Sequence, residues 1–238
     1  MTALIGYTLQ ACLPVRRLIG IGLLCAAAVL LGLSARPIQE LPDDAFALIA
    51  KGGLFPLVLP LAGLLVGDAV LGAEVRRGTF HFTWLSPVPV SRIAVARWIG
   101  GSLVLVATVA PAFAVAAFVA GAPDSAVAAA AGAALGGIAY VAVLEAIGAA
   151  FRRAAVISLA FVFLVERLLG TALDGIAQWS PQWVGLSAYT GWAPDVSSRS
   201  GVPSGAGAAV RLLLITAVGL ALATWRLKKI TLASGTAD

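Results

Sequence analysis

The stretch Trp98 to Ala120 reads WIGGSLVLVATVAPAFAVAAFVA, 23 residues without a single charged side chain. At 1.5 Å rise per residue a helix of this length crosses the roughly 30 Å of hydrocarbon in a bilayer. Similar runs flank it on both sides. Leu18–Ser34, Leu54–Ala73, Ser125–Ala150, Ala154–Leu173 and Ala206–Trp225 are each long enough, or nearly long enough, to span. The expectation is an all-α integral membrane protein of six helices, folded as one membrane domain over residues 1–238. Composition agrees: 61% of the chain is hydrophobic, 11% is charged and the mean hydropathy is +1.00, against about a quarter charged in a soluble domain.

The net charge of +5 does not point to nucleic acid, because the basic residues sit in small groups at the ends of apolar runs. Placing the N-terminus in the cytoplasm puts Arg16, Arg17, Arg76, Arg77, Arg92, Arg97, Arg152, Arg153, Arg226, Lys228 and Lys229 on the inner side, leaving Arg36, Lys51, Arg167, Arg199 and Arg211 outside. Both termini are then cytoplasmic, in the inner (cell) membrane. Arg16-Arg17 followed by an apolar core and Ser34-Ala35 also fits a signal peptide, but the later runs make a retained first helix the simpler reading. The residues before Pro14 have near-helical apolar spacing and suggest a short amphipathic helix on the inner surface. Cys12 and Cys25 support neither a disulfide framework nor a metal cluster and are read as inert packing thiols.

Two connecting segments are long enough to carry structure. Asp174–Gly205 interleaves Trp179, Trp183, Tyr189 and Trp192 with Pro, Gly and Ser, the pattern of an interfacial segment at headgroup level on the outer side. On the inner side Glu74–Arg92 reads EVRRGTFHFTWLSPVPVSR. Gly78-Thr79 can open a short helix that Pro87 and Pro89 would stop. Spacing alone is equally compatible with a solvated loop whose arginines fix topology.

With Glu74, Gly78, Thr79, Trp84, Leu85, Pro87, Ser91 and Arg92 in this order between the second and third spans, the chain resembles the permease subunits of type-two ATP-binding cassette (ABC) exporters. The resemblance covers the chain in outline: a surface N-terminal segment, six spans, and a long outer segment before the last. One departure is that His81 or Thr83 stands where many relatives carry an acid. The resemblance implies a cytoplasmic coupling helix between spans two and three, with Glu74, Arg76, Arg77, Gly78, Thr79, His81, Trp84, Leu85, Pro87 and Arg92 facing the ATPase. It further implies two ATPase subunits that use ATP and Mg, and a second permease copy or a paralogue, within membrane lipids. The chain contains no phosphate-cradling Gly-x-x-x-x-Gly-Lys-Ser/Thr run, so it is expected to bind no cofactor, to be no enzyme and to take its energy from a partner.

Within the apolar runs, Asp68, Glu145, Glu166 and Arg167 are candidates for a translocation path or for contacts between helices, since charge inside a bilayer usually faces protein or water. The plainer reading pairs Asp68 or Glu145 with Arg76, Arg77, Arg97 or Arg152. Adjacent on a helix, Glu166 and Arg167 point about 100° apart and cannot fully satisfy each other. Gly132 and Gly136 permit close helix approach. The only histidine, His81, makes a histidine metal site or a Ser-His-Asp triad an improbable feature of the bundle. Two rival functions are an intramembrane lipid-modifying enzyme or protease, and a non-enzymatic scaffold. The cargo is not written in these residues.

Overall fold

A computed structural model describes residues 2–36, 42–72, 88–151, 153–193 and 196–229. Among them there are helices and turns and no strand. Inside a bilayer every backbone donor and acceptor must find a partner within its own segment, and helices do this without help.

Helix α1 (Thr2–Cys12) stops before Pro14, as the residue preceding a proline is pushed out of helical geometry. Among the described residues six helices follow that are long and apolar enough to cross a membrane: α2 (Val15–Leu33), α3 (Pro42–Val70), α4 (Val90–Ala120), α5 (Pro123–Ala150), α6 (Ala154–Ala172) and, last of these, α9 (Gly205–Lys229). Between α6 and α9 lie a single turn, α7 (Asp174–Ala177), and a helix of three turns, α8 (Pro181–Trp192). These spans make the chain a multi-pass membrane protein.

Several boundaries differ from expectation. The second span begins at Pro42 rather than Leu54 and the third at Val90 rather than Trp98. In α3, Asp43 and Asp44 occupy the first turn, where carboxylates complement the helix dipole. Lys51 reaches out to the Ser197 carbonyl at 3.0 Å. Charges that interrupt an apolar run therefore need not interrupt a helix.

Pro56 lies inside α3, has no N–H to give and would crowd the carbonyl one turn back. Over Ala50–Val58 the helix widens to i→i+5 geometry and so absorbs the proline without a break. Two more widened stretches occur, at Asp68–Gly72 and at Phe161–Leu169 in α6. Helix α4 also holds a proline, Pro111, and ends at Gly121, whose φ of +89° is the left-handed conformation that closes a helix.

Helix α5 is the centre of the bundle, packing most extensively on α4 and α9 and then on α8 and α3. Lipid tails are as apolar as leucine, so close contact between backbones rather than hydrophobic transfer holds such helices together. Small residues supply it. A methyl group at Gly219 of α9 would lie 2.9 Å from the Ala142 carbonyl carbon, and one at Gly101 of α4 would meet Val70 at 2.7 Å. The Gly132–Gly136 pair seats α8: a methyl at Gly132 would lie 2.8 Å from the Gly185 carbonyl oxygen.

Neighbouring ends identify the two faces of the bundle. Gly20 meets Leu65 and Gly32 meets Ala116, while Ser125 donates to Asp43 at 2.9 Å. One face therefore gathers Arg16, Arg17, Arg92, Arg153, Arg226, Lys228 and Lys229 at helix ends, and is called the basic end below. Arg36, Lys51, Asp43 and Asp44 belong to the opposite end, beneath which Phe46, Phe55, Phe113 and Tyr189 pack with ring centroids 5.3–5.9 Å apart.

Candidate functional site

At the basic end, α3 and α4 are joined by residues 73–87, which fall outside the described residues. That segment contains Glu74, Arg76, Arg77, Gly78, Thr79, His81, Trp84, Leu85 and Pro87. Its exit is described: Pro89 is extended and caps α4, and Ser91 and Arg92 are exposed in the first turn. Helix α1 lies against the first turns of α4 and against the Asp68–Gly72 stretch, with Thr8 buried beneath Gly100. Burial pushes the Cys12 thiol up to about 11, which makes it a poor nucleophile.

Asp68 stands at this end with its Oδ2 3.7 Å from a guanidinium nitrogen of Arg17. Arg17 is absent from the expected partners. Its other guanidinium nitrogen donates to the Ala11 carbonyl across the α1–α2 turn, so one side chain links α1, α2 and α3. Above the pair a cleft of about 660 Å³ opens between α2, α3, α5 and α6, lined almost wholly by leucine, glycine and alanine.

Deeper in, Arg97 of α4 is 2% exposed and donates to the Val70 carbonyl at 2.7 Å, holding the end of α3 to the beginning of α4. Arg97 was expected on the inner surface; its packing instead carries it inside. The buried Glu145 of α5 faces Arg97 electrostatically, yet neither of its carboxylate oxygens has a hydrogen-bond partner among the described residues.

The second polar cluster lies toward the opposite end, around Glu166. Glu166 is fully buried whereas Arg167 is exposed, so the two do diverge as helical geometry requires. The carboxylate is caged. Oε1 accepts from the Ser180 hydroxyl and, at 3.5 Å, from the Gln182 N–H. The Tyr140 hydroxyl donates to Oε2, and Trp183 Nε1 donates to the Glu166 carbonyl at 3.0 Å. Three elements thereby meet on one carboxylate: α6, α5 and the N-terminus of α8.

Helix α8 corrects the expectation of an interfacial segment at headgroup level. Pro181 packs beside Gly136, near the middle of α5 and about 20 Å inward from its Pro123 end. Apart from the half-buried Trp183, residues Pro181–Thr190 are buried. The segment after α6 is therefore a re-entrant helix that begins near mid-depth and climbs to the opposite face, where Gly191 meets Gly205. Backbone that ends inside a bilayer must be satisfied by protein. Here Ser180 caps the helix by accepting from Trp183 N, and Glu166 takes the Gln182 N–H and complements the positive end of the dipole.

The tryptophans expected at the interface are divided. Trp179 and Trp192 are about half exposed, and Trp183 is half-buried. Arg199 stacks over Trp183 at 4.4 Å, caps the last carbonyls of α6 at Gly170 and Thr171, and pairs with Asp174 at 2.7 Å. Arg211 lies over Trp179 at 4.7 Å.

Tyr140, Ser180, Gln182 and Arg17 are the polar residues not singled out from sequence. A signal existed for Ser180, since Ser180-Pro181 is the cap-then-proline pattern of a helix start. Tyr140 carried none, as a tyrosine in a span is usually packing. Among the described residues no group of His, Cys, Asp and Glu can hold a metal. No known family profile matches the chain, and no curated protein sequence does.

Proposed function

We propose that this chain is the membrane-spanning permease subunit of an ABC exporter, driven by separate ATPase chains. The observation that supports it is the run Glu74, Gly78-Thr79, Trp84-Leu85, Pro87 and Ser91-Arg92, set between two spans whose adjoining ends are clamped. The Arg97–Val70 hydrogen bond holds α3 to α4 just above that loop, and α1 braces both. A force applied to a connection held in this way is passed to the spans rather than lost in slack.

In this reading the basic end is cytoplasmic, and two ATPase subunits, using ATP and Mg, bind beneath two permeases, either two copies of this chain or this chain and a paralogue. Closure of the ATPases moves the loop as a coupling helix, and α3 and α4 tilt with it as rigid bodies. The described carboxylates contribute no hydrolytic chemistry to the scheme; the Glu166 cage anchors α8 while the basic end moves.

The test replaces Arg76, Arg77 and Trp84 together and measures ATP hydrolysis in the reconstituted complex. The expected result is an assembled complex whose hydrolysis no longer responds to substrate. Unchanged assembly with unchanged substrate-stimulated hydrolysis removes the coupling role.

A further inference from the structure

We infer that the cleft at the basic end holds one acyl chain of an anionic phospholipid drawn from the adjoining leaflet. Its volume, about 660 Å³, falls within the roughly 300–1,000 Å³ of ligand sites. Leu23, Leu24, Leu61, Leu64, Leu65 and Leu159 form most of the wall, and among its lining residues Arg17, Asp68 and Ser158 alone carry a polar side chain. Along α2 the cleft runs from Arg17 to Leu24, seven residues or about 10 Å, which keeps it within the roughly 15 Å depth of one leaflet.

The walls face lipid. Helices α2 and α6, which frame the opening, are the least buried spans, and Leu23 and Leu159 remain 65% and 47% exposed. An apolar hollow opening sideways into hydrocarbon at this depth fills with hydrocarbon, since water has no polar partners there.

Charge at the mouth selects the headgroup. Arg17 lies in the first turn of α2, at the basic end of the span, with Arg16 exposed beside it and Arg153 exposed at the start of α6. The Arg17–Asp68 separation of 3.7 Å exceeds the 2.7–2.9 Å of a tight charge-assisted bond, so the guanidinium keeps donors for a phosphate oxygen. Arg16, Arg17 and Arg153 place the positive charge on the α2 and α6 side of the mouth. The occupant is independent of whether an ATPase drives the chain.

The test uses the full chain in vesicles of phosphatidylcholine containing either phosphatidylglycerol or phosphatidylcholine with a photoreactive acyl chain, and maps the labelled peptides by mass spectrometry. Labelling is expected on α2 and α6 around Leu24 and Leu159, with the glycerol lipid favoured by about fivefold, the effect of one arginine near an anionic surface. Arg17→Gln should weaken that preference, and Ala155→Trp, which fills the mouth from an exposed position, should abolish labelling by both lipids. If Arg17→Gln fails to fold, Ala155→Trp alone decides. Equal labelling by both lipids, or labelling that survives Ala155→Trp, overturns the proposal. So does cross-linking between copies of the chain through Leu159 that Ala155→Trp removes, since a second copy would then fill the cleft.

Discussion

Glu145 and Glu166 are both fully buried inside the span bundle, but their surroundings are opposite. Glu166 accepts from a phenol, a hydroxyl and a backbone N–H contributed by two other helices. Glu145 accepts from none among the described residues. The difference shows that burial alone does not define a role for an acid in a membrane. Glu166 is a structural knot, because each of its partners would become an unsatisfied buried donor without it. Glu145 has no such set of donors to strand among the described residues, only its electrostatic facing of Arg97.

The largest test of this contrast is Glu166→Ala, which strands the Tyr140 and Ser180 hydroxyls and the Gln182 N–H. It should cost about 3–5 kcal/mol of stability, the range for breaking a buried charged cluster from one side, read from denaturant unfolding in detergent. Gly132→Leu attacks the same knot through packing rather than polarity. With the Gly185 carbonyl oxygen 2.8 Å from the first added carbon, α8 must move off α5, at a cost of about 2–3 kcal/mol and with a change in Trp183 fluorescence. Tyr140→Phe removes one donor of the cage without adding volume and should cost about 1.5 kcal/mol. Combined with Ser180→Ala it should depart from additivity, as partners on one carboxylate do. The smallest effect is expected for Glu145→Gln, which loses no hydrogen bond among the described residues and only its electrostatic attraction to Arg97, a cost of about 1 kcal/mol. A loss there as large as that of Glu166→Ala would mean the two acids are alike after all.

Much of the membrane architecture was legible because charge-free runs are long and unambiguous. Trp98–Ala120 and Ser125–Ala150 needed little more than counting. The beginning of α3 was hidden, since Asp43, Asp44 and Lys51 read as solvent residues, whereas two of them suit a helix N-terminus and the third finds a carbonyl. Helix α8 was misread for a related reason. Its tryptophans resemble an interfacial belt, but Gly185, Ser187 and Ala188 present a face slim enough to enter the bundle between α5 and α9. The polar sites divided similarly. A carboxylate in an apolar run announces itself, as Glu166 did, but its donors are ordinary residues brought together only by the fold. Asp68 likewise found Arg17, which sequence spacing had assigned to topology alone.

The widened turns in α3 and α6 have a mechanical consequence. Each carries more residues per turn than regular α geometry requires, so tightening one such turn rotates everything beyond it by roughly the 100° of a single residue. Such a change breaks no span and exposes no unpaired backbone. It works as a screw thread rather than a hinge: the half of α3 nearest Arg97 can turn against the half anchored beside Phe113, and the Glu166 end of α6 can turn against the end that frames the cleft. Among the described residues only α3 and α6 carry such threads, so a rotation of this kind is confined to those two spans.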